Sequence, residues 1–337
     1  MRVWIDLANS PHVPLMSPVV RRLRGGGHEV LLTVRDHAQT LELAGSLWPN
    51  VIVVGGQSPP GRLGKGVTIA RRAEQLRRFV GREWPDVAFS HGSYAQLMAA
   101  RASRTPGVTM MDYEHQPANH LSFRLATQVI VPAFFPDRAL RRYGAAPEKV
   151  VHYEGFKEEL YLAGFQPDSH VLENLGIDAS RVIAVFRPPP SGALYHRMAN
   201  QRFDDVLRLA IARRDVQVVM LPRTQEQRRQ YELFEHIYIP TKAVDGSSLL
   251  ALADLMVGAG GTMNRESAIL GIPTYTVFAG RLAAVDAELV KAGRMNDLRE
   301  AGSVLRFEKK RKTQAPNAVH AESILSTVVG TLTSAAR

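Results

Sequence analysis

The chain has 337 residues, 45% of them hydrophobic and 22% charged, which fits two soluble globular domains and argues against wholesale disorder. It contains no cysteine, so disulfides, thiolate zinc sites and a cysteine nucleophile are excluded. A net charge of +10 favours polyanionic partners, but the basic clusters carry no interleaved aromatics and no nucleic-acid-binding signature is present; phosphorylated small molecules or an anionic lipid surface are expected, and nucleic acid is not.

The start, Met1-Arg2-Val3-Trp4-Ile5-Asp6, lacks the features of a signal peptide, and no run of about 18 apolar residues occurs, so a cytoplasmic protein without a membrane-spanning helix is expected. Val3 to Leu7, Val30 to Val34, Val51 to Val54, Val87 to Ser90, Val108 to Met111 and Val129 to Val131 read as buried parallel strands. Leu15 to Leu23, Ile69 to Arg82 and Tyr94 to Ala102 carry apolar residues at helical spacing between them. Gly25-Gly26-Gly27 follows a helix and reads as its stop. The alternation pauses over Glu154 to Asp168 and resumes with strands at Val182 to Phe186, Val216 to Leu221, Leu255 to Val257 and Thr274 to Phe278, before an amphipathic stretch from Ala318 to Leu332. The organisation expected is therefore α/β, with Rossmann-like parallel-sheet domains over 1–155 and 156–317 and a terminal helix over 318–337. Ligands of such sheets bind at the carboxyl ends of the strands, where helix N-termini offer free N–H groups, and two tandem domains are expected to face one cleft there.

The most informative segment is the strand Asp254-Leu255-Met256-Val257 followed by Gly258-Ala259-Gly260-Gly261-Thr262 and a helix through Asn264 and Glu266 to Leu270-Gly271. Glycines after a strand admit a ligand close to the backbone, and the helix N-terminus presents N–H groups and partial positive charge to a diphosphate. Glu266, about one turn into the helix, can accept hydrogen bonds from two vicinal ribose hydroxyls. The plainer reading is a tight strand-to-helix turn. A dinucleotide fingerprint is not met, because Met263 stands where the third glycine belongs.

Gly260-Gly261-Thr262 through Glu266, with Leu270-Gly271-Ile272-Pro273, resembles the nucleotide-sugar site of GT-B glycosyltransferases and UDP-N-acetylglucosamine 2-epimerases. The resemblance implies that Glu266 holds the ribose. It extends to Asn9-Ser10-Pro11-His12-Val13-Pro14, to Ser90-His91-Gly92-Ser93-Tyr94 and to Asp112-Tyr113-Glu114-His115-Gln116-Pro117-Ala118-Asn119, which look like three first-domain segments of the lipid II-forming N-acetylglucosaminyltransferase. Ser10-Pro11 stands where that enzyme has glycines. With Phe186-Arg187-Pro188-Pro189-Pro190 added, the pattern is more similar still to domain of unknown function family 354, a GT-B glycosyltransferase-like group.

His12 is the expected general base, since imidazole titrates near neutrality, and Glu114 is an alternative base or a partner that positions it. A loop histidine bonded to backbone is the competing reading. His91, Ser93, Tyr94, His115 and Asn119 are expected on the acceptor side, and Asp6 is expected to be structural. Arg187, with Ser191 or Gly192, is placed against the diphosphate; Arg223 is a further candidate of that kind, and Gly260, Gly261, Thr262 and Asn264 complete the donor site. Thr224 reads as a helix N-cap. No metal constellation or strand-end D-x-D is present, and Asp204-Asp205 falls at a helix start, so neither metal nor cofactor is expected.

Three functions share this scaffold. The first is a metal-independent glycosyltransferase that moves a sugar from a nucleoside-diphosphate donor to a glycan, lipid-linked or small-molecule acceptor; the resemblance implies UDP and inversion. The second is a 2-epimerase or hydrolase, though His91-Gly92-Ser93 replaces the epimerases' Gly-Asp-Thr and no second glutamate stands at Pro117 to His120. The third is a non-catalytic nucleotide-sugar binder. Arg62, Lys65, Arg71, Arg72, Arg77, Arg78 and Arg82 crowd one helix, which reads either as a solvated face or as a peripheral contact with an anionic membrane.

Overall fold

In the computed structural model, residues 1–37, 39–56, 62–189, 201–242, 244–299, 303–310 and 316–336 are described. The chain divides into two compact units, one of Met1–Tyr161 with Ala318–Arg337 and one of Leu162–Asn317. The terminal helix thus belongs to the first unit.

In that unit the described strands are β1 (Arg2–Leu7), β2 (Glu29–Val34), β3 (Ile52–Val53), β4 (Val87–His91), β5 (Gly107–Met110), β6 (Gln128–Pro132) and β7 (Val150–Tyr153). They form one parallel sheet in the order β3-β2-β1-β4-β5-β6-β7. The helices that cover it include α1 (His12–Gly25), α2 (Thr40–Leu47), α3 (Arg62–Glu83), α4 (Tyr94–Ala102) and α5 (Asn119–Leu125). The two-residue period of β1 divides the core. Val3, Ile5 and Leu7 pack with Leu15, Met16 and Leu23 of α1 and with Ile324, Val328 and Leu332 of the terminal helix Ala318–Ala335. Trp4, on the opposite face, packs with Ala73, Leu76 and Val80 of α3 and Ala95 and Ala99 of α4.

Asp6 shares the face of Trp4 and is fully buried under α3. A buried carboxylate needs a partner, and Arg72 of α3 supplies it: NH1 and NH2 donate to Oδ2 and Oδ1 at 2.9 and 2.7 Å, with Thr33 and Ser93 hydroxyls completing the shell. Arg72 is therefore no part of a solvated basic face, and this corrects the reading of the arginine-rich helix. Arg77 and Arg78 are exposed and paired to Glu74. Among the described residues no helix is long and apolar enough to cross a membrane.

The second unit contains β8 (Val182–Arg187), β9 (Val216–Met220), β10 (Ile237–Tyr238), β11 (Leu255–Gly258), β12 (Thr274–Thr276) and β13 (Asn296–Asp297), all parallel, in the order β10-β9-β8-β11-β12-β13. Its core joins Ala184 and Phe186 of β8, Met220 of β9 and Val257 of β11 to Phe203 and Leu207 of the helix Gln201–Ile211. In both sheets chain order reverses beside the first strand, which leaves a crevice at its carboxyl end.

Three strands escaped the sequence reading. β10 and β13 have two residues each, too few to show a period, and β7 interrupts its apolar run with His152. The strand expected to reach Phe278 stops at Thr276, because the Phe278 N–H takes the Thr276 hydroxyl in place of a ladder partner.

Burial alone would raise the Asp6 pKa; the charge and hydrogen bonds of Arg72 outweigh it and hold it below the ordinary value. A depressed carboxylate stabilises the fold above its unfolded pKa, and that contribution is lost as pH falls through the folded pKa. Arg72→Met, which strands the Asp6 charge, is expected to destabilise the protein by about 3–5 kcal/mol in urea unfolding at neutral pH.

Candidate functional site

The second-unit site is set by register. Gly258, the last residue of β11, pairs with Arg187 of β8 on one side and Thr276 of β12 on the other, so the strand exits lie side by side. Gly260 and Gly261 then take φ of +87° and +100°, the left-handed region that a side chain resists, and Gly261 caps the helix Thr262–Ile269. A Cβ on Gly260 would lie 2.9 Å from the Phe278 ring, and one on Gly258 would overlap Asn264 Oδ1. Asn264 is buried and donates from Nδ2 to Gly258 O at 3.2 Å; it shapes the turn from within.

Two guanidiniums stand at this turn. Arg187 NH1 donates to Leu221 O at 2.8 Å, while its buried Nε has no hydrogen-bond partner among the described residues. Arg223 Nε donates to Pro188 O at 3.1 Å and its NH2 to Gly260 O at 3.4 Å. Burial, and then repulsion from Arg223, push the Arg187 pKa down to about 10, against an opposing pull from Glu266. Thr224 caps the helix Gln225–Tyr231, its hydroxyl accepting from Gln227 N–H at 3.2 Å. Gln227 holds the proline loop through Pro189 O at 2.6 Å. Ser191 and Gly192 lie outside the described residues.

In the first unit, His12 opens α1 at the exit of β1, and its ring meets that of His91, the end of β4, at 5.3 Å and 64°. Burial first, and then the proximity of His91, push the His12 pKa down to about 3. His91 Nε2 lies 3.2 Å from Asp112 Oδ1, and Asp112 Oδ2 is salt-bridged to Lys157, which also holds Glu158 at 2.7 Å. Lys157 is 5% exposed and Glu158 fully buried.

The remaining expected residues fall nearby, each with a partner in the first unit. Ser93 gives its hydroxyl to Asp6, and the Tyr94 hydroxyl accepts from Gln116 at 2.7 Å. Asn119 donates to Tyr113 O at 2.9 Å and fixes the 113–119 loop. Glu114 is buried, 3.5 Å from His115, whose ring packs edge-on against Tyr113.

A family model described as "Protein of unknown function (DUF354)" matches residues 1–335. The chain belongs to this family. It is 32% identical over 307 residues to an uncharacterized protein of Methanocaldococcus jannaschii, covering 88% of this chain and 89% of that one. Among solved structures it is similar to the UDP-GlcNAc 2-epimerase of the same organism, in complex with UDP-GlcNAc and UDP, with TM-score 0.75 at 15% identity over 98% and 100% of the two chains. The Rickettsia bellii UDP-N-acetylglucosamine 2-epimerase gives 0.72 at 16% over 99% and 97%, and the glycotransferase of kitacinnamycin 0.56 at 14% over 99% and 92%. At these identities the likeness establishes the fold, which is GT-B-like.

Within this family member the sequence reading missed Lys157 and Glu158, gave Phe278 only as a strand end, took Arg72 for part of a basic face, and left Asp112 without a role. A carboxylate straight after β5 and the Lys157-Glu158-Glu159 run in apolar surroundings were the available signals. Gly155 has φ of +89° with Glu159 folded back against its backbone; Glu159 accepts from Phe156 N–H and lies 3.0 Å from His320 of the terminal helix.

Gly260→Ala, strained at positive φ and crowded by Phe278, is expected to lower stability by more than about 1 kcal/mol in thermal unfolding. For His12 the folded pKa lies below the unfolded one, so stability falls as pH drops from 6.5 toward 3. His12→Asn is expected to flatten the pH dependence of urea unfolding over that window.

Proposed function

We propose that the protein binds a UDP-sugar at the glycine turn of the second unit and transfers the sugar to a hydroxyl of a glycan, lipid-linked or small-molecule acceptor. The observation that carries this reading is the pair Arg187 and Arg223 beside Gly260 and Gly261. Two like charges with an unmatched buried Nε form a site that a diphosphate completes, and the N-terminus of the helix Thr262–Ile269 adds N–H groups of the same polarity. Glu266, one turn on, supplies the acceptor for ribose hydroxyls. The guanidiniums carry the charge that develops on the leaving diphosphate, a role metal ions fill elsewhere. The similar structure solved with UDP-GlcNAc and UDP supports the choice of nucleotide.

A 2-epimerase is the second reading. The buried carboxylates Asp112, Glu114 and Glu158 at the strand exits of the first unit favour it, since proton removal and return at a sugar carbon need such groups.

Thermal melts against UDP, GDP, dTDP, CDP, ADP and NAD test the binding claim. UDP at about 100 times its dissociation constant adds ~2.7 kcal/mol, a rise of a few degrees, and Glu266→Ala abolishes it. No shift with any diphosphate contradicts the proposal. UDP-GlcNAc incubated without acceptor stays intact under the transfer reading and yields its C2 epimer under the second.

A further inference from the structure

The hydrogen bonds around the two facing histidines distinguish their ring nitrogens. Ala8 N–H lies 3.3 Å from His12 Nδ1, so that nitrogen accepts, and the proton of the neutral ring resides on Nε2. A ring in that tautomer is a hydrogen-bond donor at its free end. The low His12 pKa agrees with a ring that stays neutral.

His91 has the opposite polarity. Lys157 pairs with Asp112 Oδ2 as an ion pair, and a carboxylate in an ion pair only accepts. His91 Nε2 therefore donates to Asp112 Oδ1, and Nδ1 holds the lone pair. Among the described residues Asp112 is the only hydrogen-bond partner of the His91 ring. The charged and titratable groups around the pair come from every strand exit nearby: His12 from α1, Asp112 after β5, and Lys157 and Glu158 after β7, with Asp6 and Arg72 beyond His12.

We propose that His91, and not His12, is the proton acceptor of the first unit, with Asp112 and Lys157 as positioning residues that fix its tautomer and His12 as a hydrogen-bond donor. This rests on the transfer reading. In the step, the acceptor O–H bond breaks and its proton goes to His91 Nδ1. The pair of that O–H bond stays on the oxygen, which is thereby made the nucleophile. The imidazolium that results faces the Asp112 carboxylate, which stabilises it.

The test is a long-range proton–nitrogen correlation spectrum of the full chain labelled with 15N-histidine, recorded from pH 5.5 to 8.5 and assigned with His12→Asn and His91→Asn. Both rings in their neutral form are expected to carry the proton on Nε2, with His12 neutral throughout. Asp112→Ala is expected to spread His91 over both tautomers while the His12 signals hold. A wild-type His91 with its proton on Nδ1, or a His12 with its lone pair on Nε2, overturns the assignment without recourse to any variant. A folded Asp112→Ala protein with an unchanged His91 tautomer overturns the positioning role. The UDP melt reports separately: a flat melt with the expected tautomers sinks the transfer reading, and reversed tautomers with an intact UDP shift sink the assignment of His91.

Discussion

The alignment of Gly258 between Arg187 and Thr276 is the constraint on which the second-unit site depends. Because the three strands run parallel and end together, the chain after β11 must turn into a helix within a few residues while its neighbours leave on either side. The turn needs positive φ at Gly260 and Gly261, room for the Phe278 ring and a direct contact between Asn264 and the Gly258 backbone. The same alignment sets Arg187 at the turn, and the next exit, after β9, brings Arg223 to it. Nothing in this arrangement is adjustable one residue at a time: a one-residue slip in register would turn every side chain of the strand to the other face.

The first unit solves a different problem, the burial of charge. Asp6, Arg72, Asp112, Lys157 and Glu158 are all buried near strand exits, an expensive arrangement that persists only when each charge is met. Asp6 is satisfied inward by Arg72, Thr33 and Ser93, which stiffens the start of the β1 exit. Asp112 is shared, with one oxygen held by Lys157 and the other turned to His91. The second carboxylate therefore reaches a ring of the histidine pair, whereas the first is bound to Arg72, Thr33 and Ser93. Coupling a fixed anion to an imidazole in this way sets which ring nitrogen carries the proton.

Much of this was legible in the sequence. Continuous apolar runs separated by amphipathic stretches gave the parallel sheets, since strands buried on both faces leave no alternation to confuse with a solvated sheet. The glycine turn with Glu266 and the position of His12 and His91 at strand exits were also readable, because they depend on local order along the chain. What sequence could not reveal is pairing across the fold. Arg72 looked like one of seven surface cations because its distinction is Asp6, 66 positions away. Lys157 and Asp112 are 45 apart, and Asn264 read as a ligand contact because its engagement with Gly258 is a matter of three-dimensional closeness. Edge strands of two residues carry no period at all.

The proposal that the diphosphate of a UDP-sugar lies on the glycine turn and the helix N-terminus of the second unit is open to a direct test. Amide hydrogen exchange of the whole chain with and without saturating UDP tests that claim at the backbone itself. Slowed exchange confined to peptides covering Gly258–Glu266 and the Arg187 and Arg223 exits is the predicted result. Exchange unchanged over Gly258–Glu266, with or without protection elsewhere, would contradict it.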